Sequence, residues 1–333
     1  MTMHRRRFLQ TMPLLGTAAI AAAGALAPAR GETAGAYPDK PIQLVIPFAA
    51  GGPTDMLGRF LSRSLSQQLG QSVVVMNRPG AGGNIGTQFV ARTEPDGYTL
   101  LLVASSHAIN PAVYDNLQYD PIADFSAISL LASGPFILTV RNDLPVKSVG
   151  DLIDLARSAP GRLTYASAGT GTANHLAGEL FKQLTDVDIT HVPYNGAAPA
   201  SQAILAGTVD ILFNNMLSGM PMVKAGQVRA LAVTGPKRSA ALPDLPTVAE
   251  SGVDGFDVQT WYALLAPANC PEPIRQVLND GVGKALADKE GRTLLDSQGL
   301  EWSPTTPQDV AAFLSRERSK WAEIAKRSGA RAD

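Results

Sequence analysis

Apolar residues change their spacing along this chain in a regular way. Residues 42–46 form a short apolar run, the pattern of a buried strand. Met56, Leu57, Phe60, Leu61, Leu65 and Leu69 then recur at three- and four-residue intervals, which predicts one face of a helix, and Gly70 stands where a terminating glycine belongs. Residues 73–76 read as a second strand and 77–83 as a loop. Asn84 is placed to cap a short helix ending at Ala91, and the Asp96-Gly97 turn leads to a third strand at 99–103. Strand–helix–strand–helix–strand predicts a parallel sheet with right-handed crossovers. Ligands of such sheets gather at the carboxyl ends of the strands.

The rhythm changes at Phe125. Residues 125–131 and 136–140 predict two strands separated by Ala132-Ser133-Gly134-Pro135, and this region is the expected crossing into a second domain. Ser148 and Asp151 have the spacing of a capping box that opens a helix through Ser158. A strand at 163–166 runs into Ser167-Ala168-Gly169-Thr170-Gly171-Thr172, followed by a helix through Leu184. Residues 189–192 predict another strand, then Tyr194-Asn195-Gly196 and a helix to Ala206, with further strands at 210–213 and 229–233. After the proline-punctuated stretch 242–247, a long apolar strand at 258–266 is expected to return the chain to the first domain. Helices at 273–287 and 292–297 and a long one opened by Thr306-Pro307 complete the pattern.

Composition narrows the function. With 333 residues the chain is long enough for two domains. A net charge of −1 implies no broad attraction to nucleic acid or to an anionic membrane. One cysteine, Cys270, excludes an intramolecular disulfide, and with only four histidines a dedicated metal site has little to build on, so no metal is expected. At the start, Arg5-Arg6-Arg7-Phe8-Leu9-Gln10 precedes an Ala/Gly-rich apolar stretch at 12–26 and an Ala27-Pro28-Ala29 cleavage site. This predicts a twin-arginine signal peptide over residues 1–29, cut after Ala29; a Sec signal with an arginine-rich start is the alternative, and both give an exported, periplasmic protein. No later stretch approaches the ~18 apolar residues of a membrane span.

Two glycine loops carry the candidate chemistry. The first, Pro47-Phe48-Ala49-Ala50-Gly51-Gly52-Pro53-Thr54-Asp55, joins a strand to a helix; the second is 167–172. Neither is a nucleotide loop. The first has no lysine after its glycines, and both Gly80-Ala81-Gly82-Gly83-Asn84-Ile85 and Gly169-Thr170-Gly171-Thr172-Ala173-Asn174 lack the last glycine of a dinucleotide fingerprint, so no cofactor is expected. Ser106 and His107 are adjacent, a poor nucleophile–base pair, and no G-x-S-x-G elbow is present. His107 and His175 fit either a ligand contact or a loop position, His191 reads as structural, and Arg78 fits a surface pairing better than a ligand contact. What remains are two loops rich in backbone N–H groups, each opening a helix. Facing each other across a cleft, they could hold two negative groups without arginine, the logic of a dicarboxylate site. Asp55 is expected to brace the first helix rather than touch ligand.

The combined motifs resemble the Bug-type extracytoplasmic solute receptors of tripartite tricarboxylate transporters. The resemblance rests on Tyr37-Pro38-x-x-Pro41-Ile42, Val45-x-Pro47-Phe48-x-x-Gly51-Gly52-x-x-Asp55, Asn77-Arg78-Pro79-Gly80-Ala81-Gly82-Gly83 and Pro95-Asp96-Gly97-Tyr98-Thr99-Leu100. It continues in Tyr165-Ala166-Ser167-x-Gly169-x-Gly171-Thr172-x-x-His175, Val192-Pro193-Tyr194-x-Gly196, Leu231-Ala232-Val233-Thr234, Pro246-Thr247-Val248-x-Glu250-x-Gly252 and Trp261-Tyr262-x-Leu264-x-Ala266-Pro267, covering nearly the whole mature chain. It implies an α/β, two-domain Venus-flytrap periplasmic binding protein fold with two interdomain crossovers, domain 1 spanning 36–138 and 262–333 and domain 2 spanning 139–261. It further implies a monomer without catalysis that delivers a small organic carboxylate to membrane permease subunits. By position the contacts would be Phe48, Ala49, Gly51, Gly52 and Thr54 in the first loop and Ser167, Ala168, Gly169 and Thr170 in the second, with Tyr194, Ser106, His107 and Asn214 shaping the rest.

One departure stands out. Where many relatives carry Asp-Asn, this chain has Asn214-Asn215, giving up a charge that could pair with a ligand ammonium. The expected ligand is therefore a dicarboxylate, hydroxy acid or aromatic carboxylate rather than an amino acid. The twin-arginine-like leader is a second departure, since a Sec signal is more usual. A sensor module presenting ligand to a membrane kinase and an exported hydrolase are the competing readings.

Overall fold

Three parallel strands open the fold: β1 (Ile42–Ile46), β2 (Val73–Asn77) and β3 (Thr99–Ala104), with β1 central. The computed structural model describes residues 37–331, apart from the side chains of 327 and 328. The predicted signal peptide lies outside the described residues. Helix α1 (Pro53–Leu69) lays Leu57, Phe60, Leu61 and Leu65 on the sheet and ends at Gly70, whose φ of +67° only glycine adopts readily. Met56, placed on that face by its spacing, is instead 43% exposed. Helix α2 (Asn84–Ala91) forms, but Asn84 does not cap it; its Oδ1 accepts from Asn110 Nδ2 and Tyr119 Oη at 2.5 and 2.7 Å.

The expected break at Ala132–Pro135 is absent. Strand β4 (Phe125–Arg141) is a single 17-residue strand. Up to Pro135 it pairs antiparallel with β9 (Gln259–Pro267), and from Phe136 it pairs with β7 (Ile211–Asn215) and β8 (Val228–Val233). Pro135 thus falls where the strand changes partners, so its missing donor interrupts no continuous ladder. Gly134 lets the backbone of Gly299 and Leu300 come close, and Ser133 exchanges two hydrogen bonds with Glu301, of 2.9 and 2.7 Å.

The second half repeats the theme. After α4 (Val149–Ser158), opened by the predicted Ser148–Asp151 capping box, come β5 (Thr164–Ser167), α5 (Ala173–Thr185), β6 (Thr190–Pro193) and α6 (Ala197–Leu205). Strand β5 is parallel to β6 and β7. The sheet runs β2-β1-β3-β9-β4-β7-β5-β6, with β8 on β4. Strands β4 and β9 join its two halves, as the long strand at 258–266 suggested.

Two helices had no predicted counterpart: α3 (Ser106–Val113) and α7 (Met216–Lys224). Each holds an internal proline, Pro111 and Pro221, which argues against helix in sequence. The chain closes with α8 (Glu272–Ala287), α9 (Lys289–Ser297) and α10 (Pro307–Ser328); α10 packs on α3, β4 and α5 and so touches both halves. Among the described residues no helix is long and apolar enough to cross a membrane, and no group of three His, Cys, Asp or Glu is arranged to hold a metal ion.

Candidate functional site

Strands β1, β3, β5, β6 and β7 each hand over to a helix at their carboxyl ends. A cleft of about 620 Å³, counted out to where it opens to solvent, lies between those ends. Its wall includes Gly52, Ser105, Thr172, Gly196 and Asn215, the residues that immediately precede α1, α3, α5, α6 and α7. Five helix N-termini therefore meet at one space.

None of these five helices is capped by a side chain, whereas α4, α9 and α10, elsewhere in the fold, are capped by Ser148, Asp288 and Thr306. The N–H groups of a first turn have no acceptor within the helix. Left without a side-chain cap, they present a partial positive charge of roughly half a unit per helix. No Asp, Glu, Lys, Arg or His lines the cleft. Any attraction for an anion is thus built from backbone and not from charged side chains.

Part of the cleft wall is apolar. Phe48, Ala104, Phe136 and Tyr262 form it, with Thr260 beside them. Tyr262 Oη lies 3.4 Å from Asn215 Oδ1, and burial pushes its phenol well above the usual range, so it stays neutral. Ser105 does not cap α3 because its hydroxyl is used by β9: it accepts from Trp261 N–H at 3.2 Å and lies 3.3 Å from Thr260 Oγ1.

Of the residues expected from sequence, Phe48, Ala49, Gly52, Thr54, Ser106 and Ala168 line this cleft. Gly169 and Tyr194 line an adjoining groove with Phe48, Ala49 and the 80–83 glycine loop. The remaining five are engaged otherwise. Gly51 N–H donates to Asp55 Oδ2 at 3.0 Å, and Ser167 Oγ lies 2.7 Å from His191 Nε2. The Thr170 carbonyl accepts from Tyr114 Oη at 3.5 Å. His107 is buried with Nε2 2.8 Å from the Pro121 carbonyl and Nδ1 unpartnered; burial pushes its pKa down to about 4, so the ring is neutral. It makes no hydrogen bond to Ser106, so these two adjacent residues do not form a nucleophile–base pair. Asn214 is buried against Ser218 and Met222, away from the cleft.

The missed residues had a signal. Side chains alternate along a strand, so Asn214 and Asn215 cannot both face the cleft, and it is Asn215 that does. The same alternation puts Thr260 and Tyr262 on the cleft and turns Trp261 toward α10. Arg78 neither reaches the cleft nor pairs with an acid; its guanidinium lies 3.6 Å from the centre of the Phe89 ring.

Asp55 braces the first loop as expected. It accepts from Gly51 N–H, Arg59 Nε at 2.8 Å and Asn77 Nδ2 at 3.0 Å. Burial raises its pKa, but these hydrogen bonds and the Arg59 charge outweigh burial and hold it below the usual carboxylate range. A carboxyl with a lowered folded-state pKa stabilises the fold above its unfolded value, and that contribution is lost as pH falls through the folded one. Asp55→Asn is expected to cost about 1–2 kcal/mol at neutral pH. In paired urea titrations the difference from wild type should vanish in acid; a gap that persists there would show that the carboxylate charge is not the brace.

Comparison with known proteins places this geometry. Residues 57–330 match the family described as tripartite tricarboxylate transporter family receptor, TctC. BugT of Bordetella pertussis is 36% identical over 314 residues, 94% of this chain and 95% of BugT. Among solved structures, R. palustris Rpa4515 with adipate is similar at a TM-score of 0.86 and 40% identity, covering 89% of this chain and 99% of that one. MatC from Rhodopseudomonas palustris with bound malate is similar at 0.83 and 33% identity, covering 86% and 99%. The chain therefore belongs to the tripartite tricarboxylate transporter receptor family, the TctC or Bug-type solute-binding proteins, and shares their two-domain flytrap fold.

Proposed function

We propose that this protein is a periplasmic receptor that captures a small organic carboxylate lacking an amine and delivers it to the permease subunits of a tripartite tricarboxylate transporter. The observation that carries this reading is the cleft itself: five helix N-termini without side-chain caps around a space with no charged side chain. Carboxylates at two ends would be held by backbone donors from α1 and α3 in one lobe and from α5, α6 and α7 in the other. An apolar spacer fits the Phe48, Phe136 and Tyr262 surfaces between them. Relatives solved with adipate and with malate support a dicarboxylate. A ligand ammonium would find no acid to pair with. The lobes are taken as 36–138 with 262–333, and 139–261, hinged where β4 and β9 cross; closure buries the ligand and makes the surface that a permease reads. The protein acts as a monomer and performs no catalysis.

A thermal-shift screen of organic acids tests this. A ligand that binds only the native state at about 100 times its Kd stabilises it by ~2.7 kcal/mol, which appears as a rise of several degrees. Succinate, malate, adipate or an aromatic acid is expected to give it. Glutamate or aspartate binding more tightly than the deaminated analogues would overturn the amine-free reading, and no shift with any acid would overturn the receptor reading.

A further inference from the structure

Beneath the second loop lies a ladder of three rings. Tyr165 on β5 stacks on His191 on β6 at 4.8 Å between centroids, and His191 stacks on His175 on α5 at 4.1 Å. Both histidines reach the loop that precedes α5. His175 Nδ1 accepts the Gly171 N–H at 3.3 Å. His191 Nε2 lies 2.7 Å from Ser167 Oγ, which in turn accepts the Gly169 N–H at 3.1 Å. Gly169 and Gly171 have φ of +132° and +79°, conformations that side chains rarely adopt and that need an outside hold to stay fixed. None of the three rings lines the cleft; His175 Nδ1 and His191 Nε2 are spent on the loop, and Tyr165 Oη on Glu179.

We propose that His175 and His191 are positioning residues of the ligand site, which fix the 167–172 loop by holding Gly171 N–H directly and Gly169 N–H through Ser167. The proposal rests on the receptor reading for what the loop is positioned to bind. The Nδ1 bond requires a neutral His175 with its proton on Nε2. The surroundings favour that form. Burial, then the nearby Lys182 charge, pushes His175 down to about 4, and burial, then His175 itself, pushes His191 down to about 3. Glu179, which accepts from Tyr165 Oη at 2.6 Å and pairs with Lys182, is the acid facing the ladder. Gly178 leaves the room the Tyr165 ring occupies against α5.

The test pairs variants that differ in one acceptor. Asparagine places Oδ1 near the position of the imidazole Nδ1, so His175→Asn keeps an acceptor for Gly171, whereas His175→Leu removes it; for Nε2 of His191 the corresponding pair is His191→Gln and His191→Leu. In ligand-free protein at neutral pH, amide hydrogen exchange at Gly171 is expected to speed up about tenfold in His175→Leu, the scale of one lost hydrogen bond, and to stay near wild type in His175→Asn. Adipate affinity measured by calorimetry should follow the same order. Equal exchange in the leucine and asparagine variants would overturn the proposal. If His175→Leu does not fold, the His191 pair read at Gly169 decides it by the same criterion. Wild type binding none of the acids in the thermal-shift screen would refute the receptor reading while leaving the exchange data to judge the ladder.

Discussion

Asn215→Asp is expected to weaken binding of a small dicarboxylate by about 100-fold or more while leaving the melting temperature unchanged or slightly raised. The two effects separate because of where residue 215 sits. It is the residue before the first turn of α7, and its side chain faces the cleft. Aspartate is as good as asparagine at that position, and a negative charge there is favoured by the helix dipole. The folded protein should therefore accept the substitution, and the new carboxyl should stay ionised. A ligand carboxylate entering the cleft would then meet a like charge. Two unit charges about 4 Å apart interact by ~4 kcal/mol at an effective dielectric constant near 20, and ~2.7 kcal/mol already corresponds to a factor of 100. Calorimetry with adipate or malate reads the loss, and an amino acid such as glutamate should lose far less, because its ammonium can pair with the new acid. Unchanged dicarboxylate affinity would show that residue 215 does not face the ligand. Asn214→Asp is the contrasting variant. That side chain is buried against Met222 and Ser218, so the added charge should lower stability.

Glu317→Ala should destabilise the protein by ~3–5 kcal/mol, a loss of roughly 10 °C in melting temperature. One carboxylate oxygen of Glu317 accepts from two indoles, Trp261 Nε1 on β9 at 2.6 Å and Trp321 Nε1 one turn along α10 at 2.8 Å. The two rings are almost completely inaccessible, Trp321 0% and Trp261 2% exposed. Removing the acceptor leaves two donors on buried rings without their protein partner, and each buried unsatisfied group costs about 1–3 kcal/mol. Phe313 meets Trp261 edge-on at 5.3 Å, so the pair belongs to the packing of α10 against the crossing strand and not to a surface contact. Glu317→Gln retains a carbonyl acceptor and should cost about 1 kcal/mol. Chemical denaturation of the three proteins checks both figures; an alanine variant as stable as wild type would mean that the indoles find other partners.

The elements that sequence predicted well are those whose signal is local. The face of α1 around Leu57 and Phe60, its stop at Gly70, the capping box at Ser148 and the cap at Thr306 depend on residues a turn apart, and all are present. The misreadings come from long-range pairing. Ala132–Pro135 looks like a break because small residues, glycine and proline usually end a strand, yet partners on both sides carry β4 straight through. Helices α3 and α7 were hidden by their internal prolines. Of the motifs of the first loop and of Ser167–Thr172, Phe48, Ala49, Gly52, Thr54 and Ala168 meet at the cleft. These motifs did not reveal the walls supplied by Phe136, Thr260 and Tyr262, which come from the two crossing strands.

By itself, then, the sequence determined the alternation of strands and helices and the family, because periodicity and glycine placement are written in adjacent residues. Only the tertiary structure decided how many helix N-termini converge, that residue 215 rather than 214 faces the cleft, and that His107, His175 and His191 turn away from it. Direction is the physical reason. A side chain's type is local information, but the side of the sheet it faces is fixed by pairing with residues far away in the chain, as Asn215 pairs with Phe136 and as Ser105 accepts from Trp261 N–H instead of capping its own helix.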